Sequence, residues 1–224
     1  MILFNYAQSV QPPKATTPET KFITEEQFYR LFHIFKNTDY FIPVLLAGTT
    51  GMREGEICGL QDYNIHLDRN EIYVKDNLVY IEKKWTLDST KTHRSTRPVY
   101  IFPDVSRILK QYLIQRKEQQ LKYGPQYIDS GFFCRRPDGR FINPVTLGKR
   151  FTIIARKYNY HISFHGLRHT HVTILFNKGK DLKTVADKLG HSTTKITTDT
   201  YIHSSIESQK RLLGDIKLPG LGTF

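Results

Sequence analysis

Apolar residues recur at helical spacing early in the chain. Phe28, Leu31, Phe32 and Phe35 fall at i, i+3, i+4 and i+7, which puts them on one face of a helix. Thr24 stands just before that pattern as an N-cap, with Gln27 at the reciprocal capping-box position, so the helix starts there. The next segment, roughly 39–48, is apolar almost throughout and predicts a largely buried helix ending at Gly48-Thr49-Thr50-Gly51. Arg53 sits just past that glycine turn and opens a short helix carrying Glu56, Ile57 and Leu60.

From about 71 to 102 the texture changes. Ile72, Val74, Val79, Ile81, Trp85, Val99 and Ile101 lie in β-rich runs, which predicts one small antiparallel sheet with the polar stretch 88–95 as its hairpin turn. A long helix follows from about Asp104, with Val105, Ile108, Leu109, Tyr112 and Leu113 on one side. Residues 123–144, rich in Gly, Pro and Asp, read as loop. Helices are expected again at about 145–157, 166–178, 181–189 and 204–213. Residues 1–21 are polar and proline-punctuated, a linker or tail, and 214–224 form a C-terminal tail, which leaves one domain over 22–213. The fold class is α+β: a mainly helical domain with a small antiparallel β-sheet.

Composition narrows the picture. A chain of 224 residues with 39% hydrophobic and 12% aromatic content can bury a sizeable core. No apolar run approaches the ~20 residues needed to cross a bilayer, and Met1-Ile2-Leu3-Phe4 lacks the basic lead of a signal peptide, so no membrane partner is expected. Two cysteines, Cys58 and Cys134, are too few for a disulfide framework and point to the cytoplasm. The excess of 33 Lys+Arg over 21 Asp+Glu, a net charge of +12, attracts polyanions, of which nucleic acid is the commonest. Lys83-Lys84, Arg94, Arg135-Arg136 and Lys149-Arg150 are the candidate contacts to a DNA backbone, positioning a duplex more than reading it.

The candidate chemistry is concentrated late in the chain. His165-Gly166-Leu167-Arg168-His169-Thr170 is followed by Leu189-Gly190-His191 and then Tyr201. Cleaving a phosphodiester without a metal needs a nucleophile, charge stabilisation on the non-bridging oxygens and a proton for the leaving oxygen. Arg53 and Arg168 suit the second need, because a guanidinium fork matches phosphate bidentately. Lys91, His165 and His191 are candidates for proton transfer, with Tyr201 as nucleophile. His165 and His169, with His171 nearby, have a spacing that can hold zinc, but no cysteine or acidic third ligand is close, and no metal is expected. Blander readings stand beside these: a packing tyrosine, a solvated turn lysine with Arg94 as competitor, and a helix-turn-helix over Leu182–Ser192 in a basic regulator without catalysis.

Four segments carry a family resemblance. Thr50-Gly51-Met52-Arg53-Glu54-Gly55-Glu56-Ile57-Cys58-Gly59-Leu60 resembles the first box of the tyrosine recombinases, the phage and conjugative-transposon integrases. His165 through Thr170, and Leu189-Gly190-His191 through Tyr201-Ile202-His203, resemble their second box. Thr90-Lys91-Thr92, with Ser95 and Arg97-Pro98, is similar to their lysine-bearing hairpin. The resemblance covers about 22–213 and implies the fold of a DNA breaking-rejoining catalytic domain. It implies that Arg53 and Arg168 clamp the scissile phosphate, Lys91 protonates the departing 5′-oxygen, His165 assists proton transfer, His191 bonds a non-bridging oxygen and Tyr201 forms a 3′-phosphotyrosyl link. Glu56, three residues after Arg53, is expected to orient that arginine. Neither ATP nor metal is implied. The implied partner is double-stranded DNA at attachment or recombination sites, acted on by a homo-oligomer, a tetramer in this family, in the bacterial nucleoid or host cytoplasm during integration or excision of a mobile element. A further N-terminal clamp domain is usual in the family and is not found within this sequence. A type IB topoisomerase is a neighbouring reading that the compact spacing disfavours.

Overall fold

The computed structural model describes residues 23–89 and 96–178 together with Leu213. Six helices and five strands follow in order: α1 (Glu25–Phe35), α2 (Phe41–Thr50), α3 (Glu54–Cys58), β1 (Ile65–His66), β2 (Glu71–Val74), β3 (Asp76–Ile81), β4 (Lys84–Ser89), β5 (Arg97–Tyr100), α4 (Pro103–Tyr123), α5 (Pro144–Lys157) and α6 (Phe164–Asn177). Among the described residues no helix is long and apolar enough to cross a membrane.

Helix α1 begins as its sequence predicts. Thr24 Oγ1 accepts from the Gln27 amide at 3.2 Å and the Gln27 side chain accepts from the Thr24 amide at 3.0 Å. Its four apolar residues, Phe28, Leu31, Phe32 and Phe35, are all buried. The centre of the domain is α2, whose ten residues are all buried. A helix without a wet face has to satisfy its hydroxyls internally, and Thr49 and Thr50 do so by donating to the carbonyls of Leu45 and Leu46 at 2.7 and 2.6 Å. This helix runs two residues beyond the expected end and stops at Gly51, whose φ of 71° is a left-handed cap that a side chain would strain. An aromatic chain links the outer helices: Phe35 stacks on Phe151 of α5 at 5.2 Å, and Phe151 meets Phe164 of α6 edge-on at 5.5 Å. That chain ties Phe164, the first residue of α6, through α5 to α1.

The β region departs from the expected single sheet. Strands β1, β2 and β5 form one antiparallel sheet, whereas β3 and β4 pair only with each other over six residue pairs. The stretch 88–95 therefore does not close a hairpin between paired strands: Asp88 and Ser89 continue β4, and β5 pairs with β2. The actual hairpin turn is Glu82-Lys83, with φ of 50° and 61°. Two consecutive positive φ values match the twist of a two-residue hairpin, a geometry that glycine or asparagine adopts more readily than these residues. The base of the hairpin seats on α3. A Cβ at Gly55 would lie 3.0 Å from the Leu78 carbonyl oxygen, and one at Gly59 would lie 2.9 Å from the Leu78 nitrogen. Those glycines let helix and strand touch backbone to backbone.

The segment expected as loop between α4 and α5 is held by buried charge. Arg135, read from sequence as a DNA contact, is corrected by the structure: its side chain is 1% exposed and ion-paired to Asp62 at 2.6 Å and Asp129 at 2.5 Å. Its Nε donates to the Phe132 carbonyl at 2.6 Å. Asp62 also takes both forks of Arg116 from α4, at 2.7 and 2.8 Å. A basic dipeptide thus divides into one structural arginine and one exposed one, because only Arg135 has acidic partners reaching it from two segments. The cysteines Cys58 and Cys134 are free and buried. The helices expected at 181–189 and 204–213, the linker 1–21 and the tail 214–224 lie outside the described residues, except that Leu213 is helical and buried.

Replacing Arg135 by Met should lower stability by about 2–3 kcal/mol, less than for a fully buried pair because Asp62 and Asp129 stay partly solvated. Arg136→Met should stay within about 0.5 kcal/mol. Urea unfolding of both variants checks this; equal losses would show that Arg135 does not organise the segment.

Candidate active site

The end of α2, the start of α3 and helix α6 converge on the site. The left-handed cap at Gly51 ends α2 and turns the backbone so that Arg53 becomes the N-cap residue of α3. Met52, between them, is buried at 1% exposure and anchors the turn. Helix α6 packs along α2 and brings Arg168 back to the same turn, where its Nη1 donates to the Gly51 carbonyl at 2.5 Å. Ser163 supports the start of α6, its Oγ accepting from the Gly166 amide at 3.2 Å.

Glu56 pairs with Arg53, three residues before it. Its carboxylate accepts from the Arg53 amide at 2.8 Å and from Arg53 Nη1 at 3.1 Å. A second partner was not assigned a role from sequence. Arg97, the first residue of β5, engages Glu56 with both terminal nitrogens at 2.9 Å. The only signal for it in the sequence is its place at the end of the Lys91 motif. Burial works to raise the Glu56 carboxyl, but the hydrogen bonds and charge of Arg97, and then of Arg53, outweigh it and hold it below its ordinary range. Glu56 is thus anionic, while its neighbour Glu54 is different. Burial pushes the Glu54 carboxyl up to about 7 against the opposing pull of the Gly148 backbone. Glu54 Oε1 is buried with no hydrogen-bond partner among the described residues. Near neutral pH it is partly protonated, which reduces the negative charge beside Arg53.

Positive charge prevails at Arg168. Its side chain is almost wholly buried, and burial first, then the charge of Arg53, lowers its guanidinium to about 10, with Glu56 only partly opposing. His165 lies at the start of α6, its ring 4.8 Å from that of His169 in an edge-on contact. Burial, followed by the charges of His169, Arg168 and Arg53, holds the His165 imidazole below its usual value. At neutral pH it is therefore the uncharged form, able to accept a proton. Two guanidiniums whose charges reach one another, a neutral imidazole and one carboxylate shared with Arg97 give this cluster a positive balance that favours an anion.

The structure therefore brings Arg53, Glu56, His165 and Arg168 together and adds Arg97 to them. Lys91, His191 and Tyr201, together with Arg94, lie outside the described residues. Of the expected DNA contacts, Lys83 and Lys84 are exposed at the β3–β4 turn, and Lys149 and Arg150 are exposed on α5. Arg136 is exposed and 3.4 Å from Asp138.

The family model of the phage integrase family matches residues 21–208, and the chain belongs to that family. It is 31% identical over 206 residues to a tyrosine recombinase XerC-like protein of Caldanaerobacter subterraneus subsp. tengcongensis, covering 84% of this chain and 53% of that protein. It is 28% identical over 187 residues to the integrase of Staphylococcus phage L54a, covering 79% of this chain and 52% of that one. The chain spans about half the length of the curated relatives it matches. In fold it is similar to the Tn1549 transposon integrase, solved in complex with transposon right end DNA, with a TM-score of 0.69, 21% identity, and coverage of 94% of this chain and 70% of that one. The described fold is that of a tyrosine recombinase catalytic domain.

The electrostatics of the pocket can be read directly from His165. Its NMR titration midpoint should lie below 6.5, and Arg53→Gln should move it upward, because removing a neighbouring cation makes the imidazolium less costly. A residual depression should persist from burial. A midpoint unmoved by Arg53→Gln would show that the two side chains do not share a field.

Proposed function

We propose that this chain is the catalytic domain of a site-specific DNA recombinase, an integrase of a mobile element, that cuts and rejoins duplex DNA through a 3′-phosphotyrosyl intermediate. The observation that carries the reading is that Arg168 is tied to the Gly51 carbonyl, two residues before Arg53, where the charge of Arg53 bears on its guanidinium and Glu56 only partly opposes it. Two guanidiniums held together repel each other, and an anion between them relieves that repulsion. A phosphodiester gains more as its equatorial oxygens acquire charge in the transition state, so the clamp favours reaction over simple binding.

In the proposed step, Tyr201 Oη attacks the scissile phosphorus while His165 takes up the phenolic proton. The bond from phosphorus to the 5′-oxygen breaks, and Lys91 donates a proton to that oxygen. His191 bonds a non-bridging oxygen beside Arg53 and Arg168. The phosphoryl group stays on the 3′ side, linked to tyrosine, so no ATP or metal is called for. Attack by the 5′-hydroxyl of another strand reverses the step and joins new partners. Exchange between two duplexes cuts four strands, each with its own tyrosine, so the acting species is a tetramer of this chain on DNA. Lys83, Lys84, Arg94, Arg136, Lys149 and Arg150 are proposed as its phosphate contacts, each adding to a salt-dependent affinity. In this reading, residues 1–21 link the domain to a preceding clamp, 214–224 form a tail, and the protein acts on chromosomal DNA in the cytoplasm.

A nicked duplex carrying the element's own end should trap a denaturant-resistant adduct with the wild-type chain. Tyr201→Phe should abolish the adduct with DNA affinity nearly unchanged; an adduct that persists in Tyr201→Phe would reassign the nucleophile. A wild-type chain that binds this DNA without ever forming an adduct would favour a non-catalytic regulator. Replacing Arg53 or Arg168 by Lys should slow adduct formation on the order of 100-fold while weakening binding far less, since a point charge cannot reproduce the fork. Equal losses in rate and affinity would make these arginines ordinary phosphate contacts.

A further inference from the structure

The chemistry proposed above leaves Glu54 without a task. Its carboxyl lies against the backbone of α5 where that helix carries Gly148: a Cβ there would fall 2.7 Å from Glu54 Oε1 and 3.5 Å from Oε2. Glycine is unfavourable inside a helix relative to alanine, and here its missing side chain makes a seat for the acid. Oε1 is buried in that seat with no hydrogen-bond partner among the described residues. Ionised, it is a charge without compensation; protonated, it is a neutral group that the seat tolerates. The elements packed on α3 do little to hold the charge. Helix α2 carries no titratable side chain, and β3, whose titratable residues are Asp76 and Tyr80, meets α3 at Gly55 through Asn77 and Leu78. Within α3 stand Glu56, bonded to Arg53, and the neutral thiol of Cys58. From α5 come the Gly148 backbone and, next in sequence, the exposed Lys149 and Arg150. Burial therefore dominates and raises the carboxyl from its ordinary 4.5 to about 7.

We propose that Glu54 is a proton-uptake site linked to DNA binding: a duplex laid on α5 and the head of α3 covers the carboxyl, and Glu54 then keeps a proton that it otherwise shares with water. The inference rests on the DNA-binding reading given above, with Lys149 and Arg150 as phosphate contacts. Two effects act in the same direction. A duplex over Lys149 and Arg150 removes water from beside Gly148, and its phosphates bring negative charge toward a carboxylate; both disfavour the ionised form. The proton comes from the medium on binding and returns to it on dissociation. DNA is thereby held more tightly on the acid side of neutrality, with no change in the phosphate contacts themselves.

The test uses the full chain and the element-end duplex at constant ionic strength. Affinity is measured from about pH 6 to 8.5 in the wild type and in Glu54→Gln, which keeps the shape and removes the charge. The two proteins should bind alike at the acid end, and at the alkaline end Glu54→Gln should bind on the order of tenfold more tightly, within the limit of tenfold per pH unit for one linked proton. Histidines such as His165, whose protonation also favours an anion, are common to both proteins and cancel in the comparison. Calorimetry at neutral pH in two buffers of different ionisation heat should show the wild type taking up more protons on binding than Glu54→Gln. Gly148→Ala tests the seat: its methyl group collides with Oε1, pushes the carboxyl into water and returns it toward the ordinary carboxylate range. In that background, adding Glu54→Gln should leave little pH-dependent difference.

Thermal unfolding supplies a readout without DNA. Between 4.5 and about 7 the folded chain keeps a proton on Glu54 that the unfolded chain releases, so wild-type stability falls as pH rises through that window. Glutamine has no such proton to lose, and the Tm advantage of Glu54→Gln should widen across it. A Tm difference that does not change with pH overturns the titration on which the linkage depends. The proposal is also overturned if the affinity difference is the same at every pH, if Glu54→Gln binds more weakly than the wild type at the alkaline end, or if both proteins take up equal numbers of protons. A wild-type chain that binds no duplex at any pH overturns the DNA-binding reading and the linkage with it, whereas binding with a constant difference overturns the linkage alone.

Discussion

Burying Glu56 in the first turn of α3 obliges the chain to bring cations to it, and much of the site's geometry follows. An ionised carboxylate removed from water is costly unless it is paired and its lone pairs are filled. Here the pairing comes from two distant places, Arg53 at the head of the same helix and Arg97 at the start of β5. The carboxylate consequently joins a helix to a sheet, and a neighbouring guanidinium, Arg168, is brought in from α6 through the Gly51 carbonyl. Charge balance at one residue thus couples three elements that are far apart in sequence.

The scaffold around that carboxylate is stiff where the chemistry needs it to be. A helix buried on every side, α2, forms the wall from which the Gly51 turn emerges. Interiors are packed like crystals, so neither α2 nor the aromatic chain Phe35–Phe151–Phe164 can shift without opening voids. Gly55 within α3 and Gly59 at its C-cap allow the β3–β4 hairpin to seat directly on that helix. At its far end Tyr80, Ile81, Lys83 and Lys84 are exposed. Helix α3 and the hairpin seated on it thus come from one short run of sequence, whereas Arg168 arrives from α6.

Much of this was legible in advance because helices announce themselves locally. The capping box at Thr24, the apolar face of α1, the glycine turn after α2 and the pairing of Arg53 with Glu56 each depend on residues within one or two turns of each other. Strand partners do not. The β-rich texture over 71–102 was readable, but an alternating pattern cannot say that β5 skips β3 and β4 to join β2. Charge shows the same limit. Arg135 and Arg136 are indistinguishable in sequence, and only the arrival of Asp62 and Asp129 makes one of them structural.

The sequence by itself determined the helical framework of the described residues, the basic character of the chain and the family, since short-range periodicity and motif spacing are properties of the chain alone. The tertiary structure decided which charges are buried, how the strands divide between two sheets, and that Arg97 shares Glu56 with Arg53. Those outcomes depend on desolvation and on partners brought together by the fold, Arg97 to Glu56 across 41 residues and Arg135 to Asp62 across 73, and the free energy of a buried charge is set by what surrounds it in space.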